Sequence, residues 1–290
     1  MEDICQELAA LLTHDPGQRL IPALSAAAPL AAAGSCLQQA RRVMLVSGFY
    51  IGKAKAWETD GPLGTLVLAD ALERAQVDVT ICTDLGCVSM FERAARVLDL
   101  QASILGFPPG KAVPREILQT YRPDVLVAIE RTGRAADGRY YNASGFDISP
   151  YVAHFDNLFA AARAARVATI AVGDGGNELG FGARVKEARR ILGSASGIAC
   201  VTAVDHLVAC GVSNWGAYAL AAIFSRQSGT SSRIDEQVLL SMLQEMVAAG
   251  AVDGVALKQV ATVDGLPIEE EKGMFARVMR FTQAAIKTAN

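Results

Sequence analysis

Five apolar runs of strand-forming residues, each followed by a helical pattern, constrain this chain more than any other feature. They lie at 42–49 (RVMLVSGF), 77–83, 102–107, 124–130 (DVLVAIE) and 167–172. Runs without polar alternation are buried on both faces, and strands of that kind joined through helices pair in parallel. Helical patterns fall at 59–76, 87–98, 114–121 and 155–165, a sixth strand is expected at 198–203, and a buried helix at 211–225. The expected fold class is therefore α/β, a doubly wound, mainly parallel sheet with helices on both faces and an added helical C-terminal segment. One domain of residues 1–290 accommodates all of it. N-terminal helices occupy 1–42, with helical spacing at 4–12 and 35–42. The α/β core fills 43–226, and the helical C-terminal segment, 232–290, has helices at 234–247 and 267–287.

Composition narrows the function classes. The chain has a formal charge of −3 and only short basic pairs such as Arg41-Arg42, so nucleic acid is not an expected partner. Its six cysteines form no Cys-x-x-Cys and its three histidines are far apart, which gives no zinc spacing. They read as small core residues of a reducing compartment. The N-terminus, MEDICQELAALL, has no basic leader character, and the alanine-rich stretch 23–33 is too short to span a bilayer. A cytoplasmic protein with no membrane partner is expected.

In doubly wound sheets the ligand lies beyond the carboxyl ends of the strands, so the residues just past each strand are candidates for the site. The first strand delivers Ser47, Gly48 and Phe49, then Glu58, Thr59 and Asp60; the second delivers Asp84. Strand four delivers Glu130 and a twenty-residue loop, 131–150, carrying Arg131, Arg134, Tyr140, Tyr141 and Asn142. A loop that long in a compact domain is commonly functional. Strand five opens into VGDGGNELGFG, a glycine-rich turn with Asp174, Gly175, Gly176, Asn177 and Glu178. The dinucleotide fingerprint needs a third glycine where Glu178 stands. Two carboxylates repel a phosphate but attract an ammonium group or a hard cation. Strand six is followed by Asp205 and later by Ser213 and Asn214. Each residue also has a plain structural role available: helix capping for Thr59, Asp60, Asp84 and Asn214, surface pairing for the arginines, packing for the tyrosines.

Four stretches together resemble the C-terminal, cyclase-type domain of the D-glutamate cyclase family: ETDGP at 58–62, the 131–149 run containing GRAADGRYYN and DIS, GDGGNELGFG at 173–182, and SNWGAYAL at 213–220. Thr132 stands where the family pattern has proline. The resemblance spans nearly the whole chain and implies conversion of D-glutamate to 5-oxo-D-proline with loss of water, a hydro-lyase activity. In longer members this domain follows an N-terminal hydro-lyase-like domain, so a separate protein of that type is an expected partner, as are further copies of this chain.

Chemistry assigns roles to the inventory. Asp174, Glu178 and Asn177 are the catalytic candidates, the two acids holding the substrate amine and one of them taking its proton. Gly48, Thr59, Asp60, Arg131, Arg134, Tyr141, Asn142, Gly175, Gly176 and Asn214 are the substrate-binding candidates, with Arg131 or Arg134 expected on the α-carboxylate. The N–H groups of the glycine turn are candidates to stabilise charge on the γ-carboxyl oxygens. Should the site take a cofactor, a divalent Mg²⁺ or Mn²⁺ on Asp60, Asp174 and Glu178, with Asp84 nearby, suits the oxygen-rich set. The rival readings are a nucleotide- or phosphate-binding α/β enzyme and a non-catalytic subunit that binds an acidic amino acid.

Overall fold

The computed structural model describes residues 1–282. Its centre is a six-stranded sheet, β1 (Arg42–Gly48), β4 (Asp78–Asp84), β5 (Ser103–Phe107), β6 (Val125–Arg131), β7 (Ala168–Gly173) and β8 (His206–Ala209). The strands run in the order β5-β4-β1-β6-β7-β8 and every pairing is parallel. The chain winds outward from β1 through β4 to β5, returns to the far side of β1, and continues through β6, β7 and β8. Such an order reverses direction between β1 and β6, and the crevice beyond the carboxyl ends of those two strands is where sheets of this winding take ligands. A short antiparallel hairpin, β2 (Tyr50–Ile51) with β3 (Ala56–Trp57), stands just past β1.

Helices cover both faces. Val43, Leu45, Ile81, Val127, Ile129 and Val172 point into one core with α1 (Glu2–Leu12), α2 (Ala27–Gln39), α3 (Pro62–Arg74), α4 (Val88–Val97), α8 (Ser213–Ser228), α9 (Glu236–Ala248) and α10 (Ile268–Met279). The alternate residues Met44, Val46, Cys82, Leu126, Ala128 and Ala171 point into a second core with α5 (Ile117–Tyr121), α6 (Asp156–Ala164) and α7 (Val185–Leu192). Period-two alternation thus survives in strands that look uniformly apolar, because both faces are dry. The expected doubly wound fold is present, with the helical C-terminal segment packed on the first face. The part of the expected 267–287 helix beyond 282 lies outside the described residues. All six cysteines are unpaired and five are buried, as small core residues are. Among the described residues no helix is long and apolar enough to cross a membrane.

Two expectations shift. The second N-terminal helix begins at Ala27 rather than 35, running through the alanine-rich stretch. The sixth strand is not at 198–203. That buried run instead bonds to loops, Cys200 N–H to the Gly176 carbonyl and Val201 N–H to the Arg134 carbonyl, and the strand that pairs with β7 is the four-residue His206–Ala209. Asp205 therefore precedes β8 rather than following a strand, and it caps the opposite edge by accepting from Thr169 N–H and Oγ1.

The two helices that start at the ligand edge secure each other. Asp60 accepts from Ser213 N–H (3.0 Å) and Asn214 N–H (2.8 Å), satisfying the first donors of α8. Asn214 Oδ1 in turn accepts from Gly61 N–H (2.9 Å) and Gly64 N–H (2.8 Å), the first donors of α3. Orphan N–H groups at helix starts need such partners, and here each helix supplies the other's. The contact requires Gly64, where a Cβ would sit 2.8 Å from the Asn214 Cα.

Candidate active site

The crevice beyond β1, β6 and β7 holds a cavity of about 380 Å³, a size for a small molecule. Its floor is carboxyl-rich. Glu58, Glu130, Asp174, Glu178 and Asp264 line it, and Asp60 lies behind them. Arg19 and Lys53 are the cations of the lining.

Local backbone features aim these groups. At the end of β6 the register against β1 shifts, with Ser47 opposite Ile129 and Gly48 opposite Arg131, so Glu130 is an extra residue. Its φ of +43° is left-handed, an unfavourable conformation for a glutamate, and the bulge turns its side chain into the crevice. Glu130 Oε2 accepts from Ser213 Oγ at 2.5 Å. In the glycine turn, Glu178 folds back on its own loop: Oε1 accepts from Gly175 N–H and Oε2 from Gly176 N–H, both at 2.8 Å. Asn177 Nδ2 donates to the Tyr141 carbonyl at 2.8 Å and ties this turn to the long loop.

The outer wall comes from the segment between α9 and α10. Asp253 organises it by accepting from Val255, Ala256 and Gly265 N–H groups, which delivers Gly254, Val255, Leu257 and Asp264 to the cavity. Gly254 is needed there, because a Cβ would fall 2.1 Å from Glu58 Oε2. Arg19 completes the wall from the N-terminal segment. Its Nη1 donates to both Asp174 Oδ2 and Asp264 Oδ2, the second bond at 2.8 Å.

Burial of so many acids at one point raises their proton affinities. Desolvation pushes Glu58 well above the ordinary glutamate range, with the charges of Asp264 and Asp60 adding to it. Glu130 is likewise well above it, through burial and then the charges of Asp174 and Glu178. Asp60 and Asp174 are raised well above the aspartate range by burial, opposed by the Asn214 N–H in the first case and by the Arg19 guanidinium in the second. Glu178 is raised by burial while the N–H groups that it caps pull it down. The site therefore gathers carboxyls whose proton affinities are raised to different extents by burial, neighbouring charge and hydrogen bonding, the arrangement that divides acid and base roles among them.

The sequence candidates divide. Asp174, Asn177, Glu178, Gly175 and Asn142 line the cavity. Asp60 lies directly behind it, its carboxylate oxygen, with one each from Glu130 and Asp174, forming a set mutually within 4.8 Å. That set differs from the expected Asp60, Asp174 and Glu178, because Glu178 spends both oxygens on its own turn. Asp84 is remote from it and bound to Arg131.

Arg131 does not reach the cavity. Its guanidinium is fully buried, donating to Asp84, to the Gly48 carbonyl (2.9 Å) and to the Ala153 carbonyl (2.5 Å), and it lies 4.7 Å over the Phe155 ring. Arg134 is exposed, and among the described residues its hydrogen bonds are made by its backbone, at Asp156 and Val201. Neither arginine expected on the α-carboxylate lines the cavity. Gly48, with φ +120°, serves Arg131 through its carbonyl, and Thr59 Oγ1 donates to the Thr262 carbonyl. Tyr141 puts its hydroxyl on Asp137 and its carbonyl on Asn177, and Asn214 is the interhelix cap. Gly176, like Gly175, has given its N–H to Glu178, so the turn offers neither of these donors to a γ-carboxyl oxygen and no open phosphate cradle. Glu58 and Glu130 had stood only among strand-end residues, and Arg19, Lys53 and Asp264 carried no sequence signal beyond charge near a turn.

The chain matches the family described as "D-glutamate cyclase-like, C-terminal" over residues 8–279. It is also similar to a human (Homo sapiens) protein, "D-glutamate cyclase, mitochondrial", at 34% identity, covering 97% of this chain and 52% of the human protein. The chain thus spans about half the length of the curated relative that it matches.

Proposed function

The chain belongs to the D-glutamate cyclase-like C-terminal family, and from that membership and the acid-rich cavity we propose that it cyclises D-glutamate to 5-oxo-D-proline. The observation that carries the reading is the gathering of Glu58, Glu130, Asp174 and Glu178, with raised proton affinities, around a cavity of amino-acid size. In the reaction the substrate ammonium loses two protons in all, its nitrogen bonds to the γ-carboxyl carbon, and one γ-oxygen takes up two protons, its bond to that carbon breaks, and it leaves as water. Asp174 and Glu178 hold the ammonium, Glu178 through the lone pairs that the Gly175 and Gly176 N–H groups leave free, and one of them takes its first proton; the second leaves the nitrogen once the ring has closed. A carboxylate of raised proton affinity is the better base for that step. Glu58, or Glu130 where no cation is bound to it, holding a proton, delivers it to the departing oxygen, and the second proton of the water is one of the two released by the nitrogen. The walls keep the flexible substrate folded, so that ring closure proceeds from one conformer.

The Asp60, Glu130 and Asp174 oxygens also fit a hard divalent cation, because all three are carboxylate oxygens within 4.8 Å of one another and, among the described residues, no histidine or cysteine joins the set. Mg²⁺ or Mn²⁺ held there would polarise the γ-carboxyl group.

The test is incubation of the purified protein with D- and L-glutamate and detection of 5-oxoproline by mass spectrometry, beside the Asp174→Asn, Glu178→Gln double variant. The expected result is turnover of the D-isomer, and a folded double variant slowed by about 10²- to 10⁴-fold, the usual worth of positioned proton transfer. A folded double variant with wild-type turnover removes both acids from the chemistry. Binding of D-glutamate without turnover marks a ligand-binding subunit.

A further inference from the structure

A dicarboxylic amino acid brought among buried carboxyls needs a cation for the carboxylate that does not react. None of the three arginines of the long loop lines the cavity: Arg131 is buried on Asp84, Arg134 is exposed, and Arg139, 63% exposed, lies 3.8 Å from Asp147. Arg19 lines the cavity, its side chain 26% exposed, while Asp174 and Asp264 beside it are 5% and 8% exposed. Both hydrogen bonds of its guanidinium to the protein leave from one nitrogen, Nη1. Among the described residues Nε and Nη2 have no hydrogen-bond partner. The group is thus anchored at one corner and keeps a two-nitrogen edge, the geometry that takes a carboxylate through two parallel bonds.

The backbone around Arg19 is built to hold that side chain in place. Gln18 and Leu20, on either side, have φ of +53° and +62°, left-handed conformations that neither residue favours. Asp15 enforces the turn: Oδ1 accepts from Arg19 N–H at 3.0 Å and Oδ2 from Leu20 N–H at 2.7 Å. Leu20 is left 63% exposed by this arrangement. A surface turn with no ligand to serve has no reason to strain two residues and expose a leucine in order to bury an arginine among acids.

We propose that Arg19 is the specificity-determining residue of the site: its free guanidinium edge binds the α-carboxylate of the substrate, and by doing so selects an α-amino dicarboxylic acid over an amine that lacks the α-carboxylate. The assignment rests on the cyclase reading. The discriminating pair is D-glutamate and 4-aminobutanoate, which share the reacting amine and carboxyl and differ only in the α-carboxylate. Both close to a five-membered lactam with loss of water.

The experiment measures kcat/KM for both compounds in the wild type, Arg19→Lys, Arg19→Met and the Arg19→Met, Asp264→Asn double variant. The last neutralises Asp264, the one of the two acids left without Arg19 that is not assigned to the chemistry, and keeps the test valid should the single variant fail to fold. The expected result is a preference for D-glutamate in the wild type that falls by roughly 10- to 100-fold on loss of the guanidinium, the discrimination typical of a charged hydrogen-bonded contact. Arg19→Lys raises KM for D-glutamate more than it lowers kcat. A folded variant that loses rate on both compounds equally, with the preference intact, overturns the assignment and leaves Arg19 as scaffold. Calorimetric titration of the same compounds separates the two readings. A wild type that binds D-glutamate better than 4-aminobutanoate without converting it refutes cyclisation and supports Arg19, provided that Arg19→Met erases the difference. A wild type that cyclises both compounds without preference refutes Arg19 alone. Absence of both binding and turnover overturns both.

Discussion

Glu271, on α10, is the clearest case in which the structure sets the size of a stability effect. It is 1% exposed, its Oε2 accepts from Trp215 Nε1 at 2.7 Å and its Oε1 from Tyr218 Oη at 2.6 Å. Burial pushes its carboxyl from 4.5 up to about 7 although both donors favour the ionised form. The folded chain therefore holds this proton over a range where the unfolded chain has released it. Stability from this group is fully present below about pH 4.5 and is lost as pH rises through about 7, and the displacement amounts to about 3 kcal/mol.

Glu271→Gln cannot ionise. Its carbonyl oxygen accepts from Trp215 Nε1 and its amide N–H donates to the Tyr218 hydroxyl oxygen, the same pairing that the protonated acid uses. The variant is accordingly close to the wild type in stability near pH 4 and more stable than it by about 3 kcal/mol near pH 8. Urea unfolding of both chains at steps across this range measures the gap. Buried carboxyls that do not interact with Glu271 titrate in both chains and cancel in the difference to within about 0.5 kcal/mol, whereas Asp60 and Asp264, whose charges couple to it, are replaced by Asn in both chains for the comparison. A gap that stays constant from about pH 4 to 8 refutes the assignment of that proton to Glu271.

Arg131→Met strands Asp84 in the core and destabilises the fold by about 3–5 kcal/mol, visible as a lower unfolding midpoint, whereas Arg134→Ala changes stability by less than about 0.5 kcal/mol and leaves KM where it was. A rise in KM with Arg134→Ala would return that residue to the site. Asn214→Ala removes the acceptor for Gly61 and Gly64 N–H and costs roughly 1–3 kcal/mol in chemical denaturation; no loss would mean that water replaces the cap. With a cation on Asp60, Glu130 and Asp174, exhaustive chelation abolishes cyclisation and Mg²⁺ or Mn²⁺ restores it, while activity that survives chelation unchanged removes the metal from the proposal.

How much of this was legible in the sequence depends on how local each feature is. The first five strands are long apolar runs and announced themselves. The short β8 did not, because four residues beginning with histidine look less like a strand than the apolar run at 198–203, whose backbone bonds to the glycine turn and the long loop instead of joining the sheet. The glycine turn was readable as a ligand loop because its acids and glycines lie together in the chain. The fate of its N–H groups was not, since Glu178 reaching back to Gly175 and Gly176 is a matter of three-dimensional closure. Arg131 and Arg134 were the natural carboxylate binders by their position after a strand, yet the bulge at Gly48 sends Glu130 into the cavity and Arg131 beneath it. Arg19 bonds an aspartate 155 positions away, and nothing in the turn that carries it marks such a partner.

The charge balance of the cavity has a consequence for its pH dependence. D-glutamate carries one net negative charge at neutral pH, and as the proposed substrate it would meet five lining carboxyls with Arg19 and Lys53 as the opposing cations. Binding is favourable only while some of those carboxyls are protonated. Glu58 is the one to follow, because burial, Asp264 and Asp60 hold its proton and it lies outside the trio suited to a cation. As pH rises through the raised range of Glu58, a new negative charge appears beside the substrate and KM increases, whereas below that range KM is flat with respect to this group. Glu58→Gln keeps the shape, stays neutral, and flattens the alkaline rise. Steady-state kinetics across that range on both chains gives the comparison, with kcat followed separately so that loss of the catalytic proton is not read as loss of binding. A KM that falls with rising pH in the wild type, or a rise equally steep in Glu58→Gln, would mean that the Glu58 carboxyl is already ionised when substrate binds and that other charges set the affinity.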